Sequence, residues 1–86
     1  MFEIRQHIDS GQRYLVVVRD GRVSVAAGPL WPHEDAAHVL QTHGNQRHNP
    51  RALLDIRRHP AAYQREYTTD KAGRVVHVSE PRAASG

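Results

Sequence analysis

Residues 14–27 read YLVVVRDGRVSVAA, and this stretch predicts a β-hairpin. Its first half is rich in β-branched residues, which favour extended backbone. Asp20-Gly21 follows, a pair typical of the two-residue turns that join antiparallel strands. A second run of small and β-branched residues returns over residues 22–27. Two paired strands are therefore the first elements that the sequence predicts.

The turn also predicts how the two strands pair. With Asp20 and Gly21 as the loop, Val18 lies opposite Val23, and Val16 lies opposite Val25. Side chains alternate between the two faces of a strand. The predicted core face carries Tyr14, Val16, Val18, Val23 and Val25. The outer face carries Leu15, Val17, Arg19, Arg22 and Ser24. Because this outer face is mixed, we expect a partner or a tail to cover part of it.

Three further strands are predicted around the hairpin. Residues 2–8 alternate between apolar and polar with one exception, which is the period of a half-buried strand. Residues 63–69 contain tyrosines and threonines that suit a strand, and a turn at residues 70–73 leads into a last strand at about 74–79.

Two short helices are predicted between the hairpin and these last strands. The first covers about 33–43 and stops at Gly44-Asn45, a common C-terminal signal. The second covers 51–59, with Asn49 as N-cap and Pro50 at the first helical position. Its predicted inward residues are Leu53, Leu54 and Ile56.

The order β-β-β-α-α-β-β predicts an α+β fold. The most economical arrangement is an antiparallel sheet with both helices on one face. The chain has 86 residues, which suits one domain. We expect that domain over residues 1–80 and a disordered tail over 81–86.

Composition excludes several classes of site. The chain has no cysteine, so disulfides, thiolate metal sites and cysteine nucleophiles are excluded. No apolar run approaches the roughly 20 residues that a membrane span needs. The first residues, MFEIRQHID, are charged where a signal peptide is apolar. We therefore expect a cytoplasmic protein.

The histidines and serines predict neither a metal site nor an active site. Four of the seven histidines recur every five residues, from His33 to His48, so successive members point about 140° apart on a helix. No two histidines have the i, i+4 spacing of a helical zinc pair. The serines lie outside any nucleophile motif, and no glycine-rich loop precedes a helix. The sequence thus predicts a protein that is not an enzyme and needs no cofactor or metal.

Charge is concentrated in the middle of the chain. The net charge is +3, and residues 36–65 carry five arginines against a single acid, Asp55. A cationic strip of this kind attracts phosphate backbones or an acidic protein surface. We expect a binding module whose first partner class is nucleic acid. The candidate nucleic-acid-binding residues are Arg47, His48, Arg51, Arg57, Arg58 and Arg65.

The alternative is a protein–protein interaction module, such as an inhibitor, an adaptor or a homodimeric accessory protein. It would use the outer face of the hairpin, including Ala26, or a free strand edge. The candidate protein-binding residues are Leu15, Val17 and Trp31. Trp31 has two interpretations. In the favoured one it plugs the junction between sheet and helix, and in the other it is an exposed anchor for a partner.

Overall fold

The fold is an antiparallel sheet with two helices, seen in a computed structural model that describes residues 1–31, 35–42 and 47–78. Within these residues five strands form one sheet, in the spatial order β3-β2-β1-β4-β5. The strands are β1 (Phe2–His7), β2 (Arg13–Arg19), β3 (Arg22–Ala27), β4 (Tyr63–Thr69) and β5 (Val75–His77). The helices are α1 (Ala36–Thr42) and α2 (Pro50–Arg58), and a 3-10 turn, Pro60–Ala62, leads into β4. The predicted α+β class and element order are confirmed.

The hairpin pairs as predicted next to its turn and differs further along. Val18 pairs with Val23, but a β-bulge at Ser24 then shifts the register, so that Val16 pairs with Ala26. A bulge inserts one extra residue, and every later side chain on that strand changes face. Val25 is consequently 37% exposed, while Ala26 is fully buried. The predicted core role of Val25 is therefore wrong, and Ala26 has that role instead.

The two helices pack against opposite faces of the sheet, not against one face as the sequence predicted. Leu15 belongs to the cluster that packs under α1, and its neighbour Val16 belongs to the cluster that packs under α2. Consecutive residues of a strand point to opposite faces. Because both of these side chains are apolar and buried, each face of β2 needs its own cover.

The start of α2 follows the predicted capping chemistry, whereas α1 starts at Ala36 and not at about residue 33 as predicted. Asn49 caps α2, because its side chain accepts a hydrogen bond from the Ala52 amide at 3.1 Å. Asp35 plays the same part at α1 by accepting from the Ala37 amide at 3.0 Å. The predicted C-terminal stop of α1 and the predicted tail at 81–86 lie outside the described residues.

The buried side of α2 differs from the prediction at one position. Ala52 and Ile56 are buried and Leu53 is half-buried, whereas Leu54 is 47% exposed. Leu54 lies two residues from both Ala52 and Ile56, which is about 200° around a helix. The prediction that Leu54 points inward is therefore wrong.

Replacing Gly28 with alanine is expected to destabilise the fold by about 1–2 kcal/mol. Gly28 has φ +129°, and a Cβ there would lie 3.0 Å from the Leu30 amide nitrogen and 3.3 Å from the Arg13 carbonyl oxygen. Gly21→Ala is the control, because Gly21 also has positive φ but open space around it. Urea denaturation should show the larger loss for Gly28→Ala, and equal losses would contradict the predicted clash.

Candidate nucleic-acid interface

The segment before α2 is hydrogen-bonded to the outer edge of β3 and to the residue that follows it. The Asn49 amide donates to the Ala26 carbonyl at 2.7 Å, and the Asn49 side chain donates to the Gly28 carbonyl at 3.1 Å. The His48 Nδ1 lies 3.0 Å from the Ala26 carbonyl, which can only accept, so this nitrogen carries a proton. Arg47 and His48 are therefore exposed at a fixed place beside the sheet edge.

The arginines of α2 divide between two directions. Arg51 and Arg58 share the solvent-facing side with Leu54, as their spacing on a helix requires. Arg57 turns sideways, and its Nε donates to the Val23 carbonyl at 2.7 Å. That bond holds the Arg57 guanidinium beside the end of the β2–β3 hairpin.

Arg57 lines a cavity together with two arginines from the sheet. The cavity has a volume of about 320 Å³ and lies between α2, the hairpin end and Pro60. Arg5 from β1 and Arg22 from β3 complete its cationic lining. An adjoining cavity of about 290 Å³ shares Arg5 and Pro60 with the first and adds Arg65 from β4. We call the site formed by Arg5, Arg22, Arg57 and Arg65 the arginine cleft.

A buried carboxylate holds two of these arginines in place. Glu3 is 3% exposed, and its Oε1 accepts from Arg5 Nε at 3.0 Å and from Arg5 Nη2 at 2.9 Å. Its Oε2 lies 3.6 Å from Arg65 Nη1. Among the described residues, Arg22 and Arg57 form no ion pair. The arginine cleft therefore keeps a net positive charge, because Glu3 neutralises only part of the charge of its four arginines.

The six predicted nucleic-acid-binding residues do not form a single strip. Arg57 and Arg65 line the arginine cleft. Arg51 lines a different cavity, next to Asp55. The remaining three, Arg47, His48 and Arg58, are exposed but line none of the cavities described here.

Sequence reasoning missed Arg5 and Arg22. Both lie in strands of the first 35 residues, outside the basic middle of the chain. Acids balance the arginines in those first residues, so the charge pattern did not single out Arg5 or Arg22. Alternation along β1 was the available signal, because it places Glu3 and Arg5 on the same face. Pairing with β4 then puts Arg65 directly opposite Arg5.

The predicted protein-binding residues are also scattered. Leu15 is 5% exposed and belongs to the core under α1, so its predicted place on an outer surface is wrong. Ala26 is fully buried on the opposite face, and Val17 is half-buried. Trp31 is 67% exposed, so the favoured interpretation as a plug is wrong. Its neighbour Leu30 fills that position, at 7% exposed in the α1-side cluster.

A polar cavity of about 380 Å³ lies at the other end of α2. The Tyr63 hydroxyl donates to Asp55 Oδ2 at its wall. Burial, this bond and the Asp55 charge raise the pKa of Tyr63 well above its usual value. Burial and then the charge of Asp55 also raise the pKa of Tyr14 in the same wall. Both phenols therefore stay neutral and keep their protons for hydrogen bonding.

His7 completes this wall of the polar cavity. Its Nδ1 accepts from the backbone amides of Asp9 and Ser10, each at 3.2 Å, so the neutral ring carries its proton on Nε2. The ring also meets Tyr63 edge to face, with centroids 5.0 Å apart. The cavity thus offers aromatic edges and fixed hydrogen-bonding groups.

Over residues 1–31, 35–42 and 47–78, no three histidine, aspartate or glutamate side chains stand together as a metal site. None of the helices there has the length and apolar character that crossing a membrane requires.

Comparison of the chain with protein-family models, with the curated proteins and with the solved structures finds no match. The geometry of the arginine cleft is therefore the basis of the functional proposal.

Proposed function

We propose that this protein is a small non-enzymatic binding module that contacts nucleic acid through the arginine cleft. The observation that carries the proposal is the convergence of Arg5, Arg22 and Arg57 on one cavity. Guanidinium groups donate in a planar fork that matches the oxygens of a phosphate. Three of them around one cavity suit a polyanion better than a neutral ligand.

Anchoring of the arginines supports the same conclusion. Arg5 is held by Glu3, and Arg57 is held by the Val23 carbonyl. A long side chain that is already ordered loses less conformational entropy when it binds. The arginine cleft is thus preorganised for anion binding.

The helix end gives Arg57 a competing structural role, because cations near a helix C-terminus complement the helix dipole. Arg58 shares that role fully, since both arginines lie in the last turn of α2. Only Arg57 reaches the cavity. Comparing substitutions at Arg57 and Arg58 therefore distinguishes the effect of charge at the helix end from the effect of charge in the arginine cleft.

Arg57→Glu is expected to weaken binding of a short oligonucleotide by at least about tenfold in 0.15 M salt, where charges farther away than about 8 Å are largely screened. The slope of the logarithm of affinity against the logarithm of salt concentration should also become shallower by about one, which corresponds to the loss of one phosphate contact. Fluorescence anisotropy of a labelled oligonucleotide measures both quantities.

Arg58→Glu is the matched control, because it makes the same charge change in the same helical turn. It should weaken binding by less than about threefold, since screening reduces its long-range effect. Equal losses for the two variants would contradict a localised cleft. Salt-independent affinity, or no oligonucleotide binding by the unaltered protein, would contradict the proposed function.

The alternative function is protein binding by strand addition at β5. This strand ends the sheet within the described residues, and its Val76 is 39% exposed. A strand with an unpaired edge can accept a partner strand or the same strand of a second copy. Sedimentation without nucleic acid distinguishes the two functions, because a stable dimer favours the alternative.

A further inference from the structure

Two opposite charges of α2, Arg51 and Asp55, line the polar cavity of about 380 Å³. They lie four residues apart, so their side chains leave the helix within about 40° of each other. Oppositely charged residues at this spacing commonly pair on a helix surface. Among the described residues, however, no ion pair joins them. The polar cavity therefore presents a cationic donor and an anionic acceptor that are not bonded to each other.

Tyr63 holds the Asp55 carboxylate in a fixed place. Its hydroxyl donates to Asp55 Oδ2, and Asp55 is half-buried. A carboxylate only accepts hydrogen bonds, and its two oxygens have about four lone-pair positions. Tyr63 takes one of these positions, and within residues 1–31, 35–42 and 47–78 no second side chain donates to Asp55. The other positions are therefore left for a ligand.

Aromatic rings supply the apolar part of this lining. The ring of Tyr63 lies 5.0 Å from that of His7 and 6.3 Å from that of Tyr14, centroid to centroid. Tyr14 and Ala52 are buried, whereas Arg51 is exposed. Unstacked bases are typically bound by aromatic side chains together with hydrogen bonds to their edges. The polar cavity therefore combines the two kinds of group that a planar heterocycle needs.

Guanine is the base that best complements these charges. Its pairing edge has two adjacent N–H donors, at N1 and N2, which one carboxylate can accept together. Its O6 and N7 are the acceptors to which arginine most often donates. The other bases each place an acceptor beside their single donor group, and that acceptor would face the Asp55 carboxylate unfavourably. An aspartate and an arginine in one cavity thus favour guanine.

Asp55 also makes the polar cavity unsuited to a phosphate. It is the acid in the lining of this cavity, and like charges repel. Arg51, which the sequence predicted as a nucleic-acid-binding residue, therefore suits a base edge better than a phosphate backbone.

We propose that the polar cavity is a guanine-binding site, in which Asp55 accepts from the base and Arg51 donates to it. The inference goes beyond the proposed function, because it concerns a base and a cavity other than the arginine cleft. Free guanine nucleotides and guanines within a strand present the same edge, and titration with each distinguishes the two sources.

Nucleoside monophosphates of guanine, adenine and uracil share one phosphate, so comparing them isolates the base. Amide chemical shifts of the isotopically labelled protein measure each affinity and locate the ligand. We expect the guanine nucleotide to bind about tenfold more tightly than the adenine nucleotide, as for one bidentate contact, with shifts at Asp55 and Tyr63. Equal affinities would overturn the inference. Shifts confined to Arg5, Arg22 and Arg57 would also overturn it, while supporting the proposed function.

Asp55→Asn should remove the preference for guanine over adenine, because asparagine presents a donor where guanine also donates, and it complements adenine. Asp70→Asn is the matched control at an exposed residue that lines none of the cavities. The asparagine oxygen can still accept from the Ala72 and Arg74 amides, as Asp70 Oδ1 does. The control should keep the preference, and a preference retained by Asp55→Asn would contradict the site.

Arg51→Ala gives a second test that does not depend on buried packing, since Arg51 is exposed. Guanine loses the donor to its O6, so the preference over adenine should fall several-fold. Arg47→Ala removes the same charge from an exposed residue outside the polar cavity, and it should leave the preference unaltered. An unaltered preference in Arg51→Ala would contradict its proposed role.

Thymidine strands of about eight nucleotides with one central guanine or adenine extend the test to nucleic acid. A guanine preference in these strands shows that the polar cavity binds a base within a strand, whereas a preference limited to mononucleotides assigns it to a free nucleotide. If no strand binds, the proposed function fails and the guanine site stands on the mononucleotide result. If mononucleotides show no guanine preference, the inference fails, and the proposed function stands provided that Arg57→Glu still weakens oligonucleotide binding.

Discussion

Truncating Ile56 to alanine should lower the free energy of unfolding by about 2–5 kcal/mol, the usual loss for a buried isoleucine. Ile56 is 1% exposed and packs in the cluster that joins α2 to the sheet. Domains of this size have a total stability of only about 5–15 kcal/mol, so one such cavity is a large part of it. Urea denaturation followed by circular dichroism measures the change. Leu54→Ala, on the exposed side of the same helix, should cost less than about 0.5 kcal/mol.

The two faces of the sheet make a second test of the same packing. Leu40 is fully buried in the cluster under α1, on the face opposite Ile56. Distant sites add to within about 0.5 kcal/mol. Combining Leu40→Ala with the milder Ile56→Val should therefore give the sum of the single losses. A coupling energy well above about 0.5 kcal/mol would contradict two separate cores. A loss below about 1 kcal/mol for Ile56→Ala would contradict the burial of Ile56 under α2.

Replacing Glu3 with glutamine should change stability and binding in opposite directions. The buried carboxylate holds Arg5 and Arg65, so its loss leaves their charges unneutralised. We expect stability to fall by about 2–3 kcal/mol, less than for a fully buried pair, because both arginines reach solvent. Oligonucleotide affinity should rise, since the cleft loses the negative charge of Glu3 behind it.

Denaturation and anisotropy on the same preparation measure the two effects of Glu3→Gln. Glu66→Gln is the matched control, because Glu66 is also paired with an arginine, Arg13, but lines none of the cavities described here. Glu66→Gln removes the same charge from a site outside the arginine cleft, so its effect on oligonucleotide affinity should be smaller. Weaker binding by Glu3→Gln would show that anchoring Arg5 matters more than the charge of Glu3. Unchanged stability would contradict the structural role of Glu3 between Arg5 and Arg65.

Short-range signals were sufficient for the elements themselves. Asp20-Gly21 predicted the hairpin turn and the pairing of Val18 with Val23, and Asn49 predicted the start of α2. These features depend on the dihedral preferences and hydrogen bonds of residues that are close in sequence. Leu54 shows the limit within a helix, because its apolar side chain was insufficient to indicate the buried side.

The face that each side chain occupies depended on one extra residue. The bulge at Ser24 exposes Val25 and buries Ala26, the reverse of what simple alternation predicts. The pattern of apolar residues around Ser24 does not indicate a bulge. The apolar run around Leu15 and Val16 was compatible with one covered face or two. Packing against α1 and α2 decided between them, because a helix can bury only the face that it reaches.

The charge pattern predicted that cations matter but not where they meet. Composition indicated residues 36–65 as the cationic surface, because acids are scarce there. The arginine cleft instead takes Arg5 and Arg22 from the sheet and joins them to Arg57 of α2. Backbone pairing and helix packing bring these residues together across large separations in the chain. Sequence patterns thus establish which segments become strands and helices, whereas the shape and charge of a surface arise when distant segments share it.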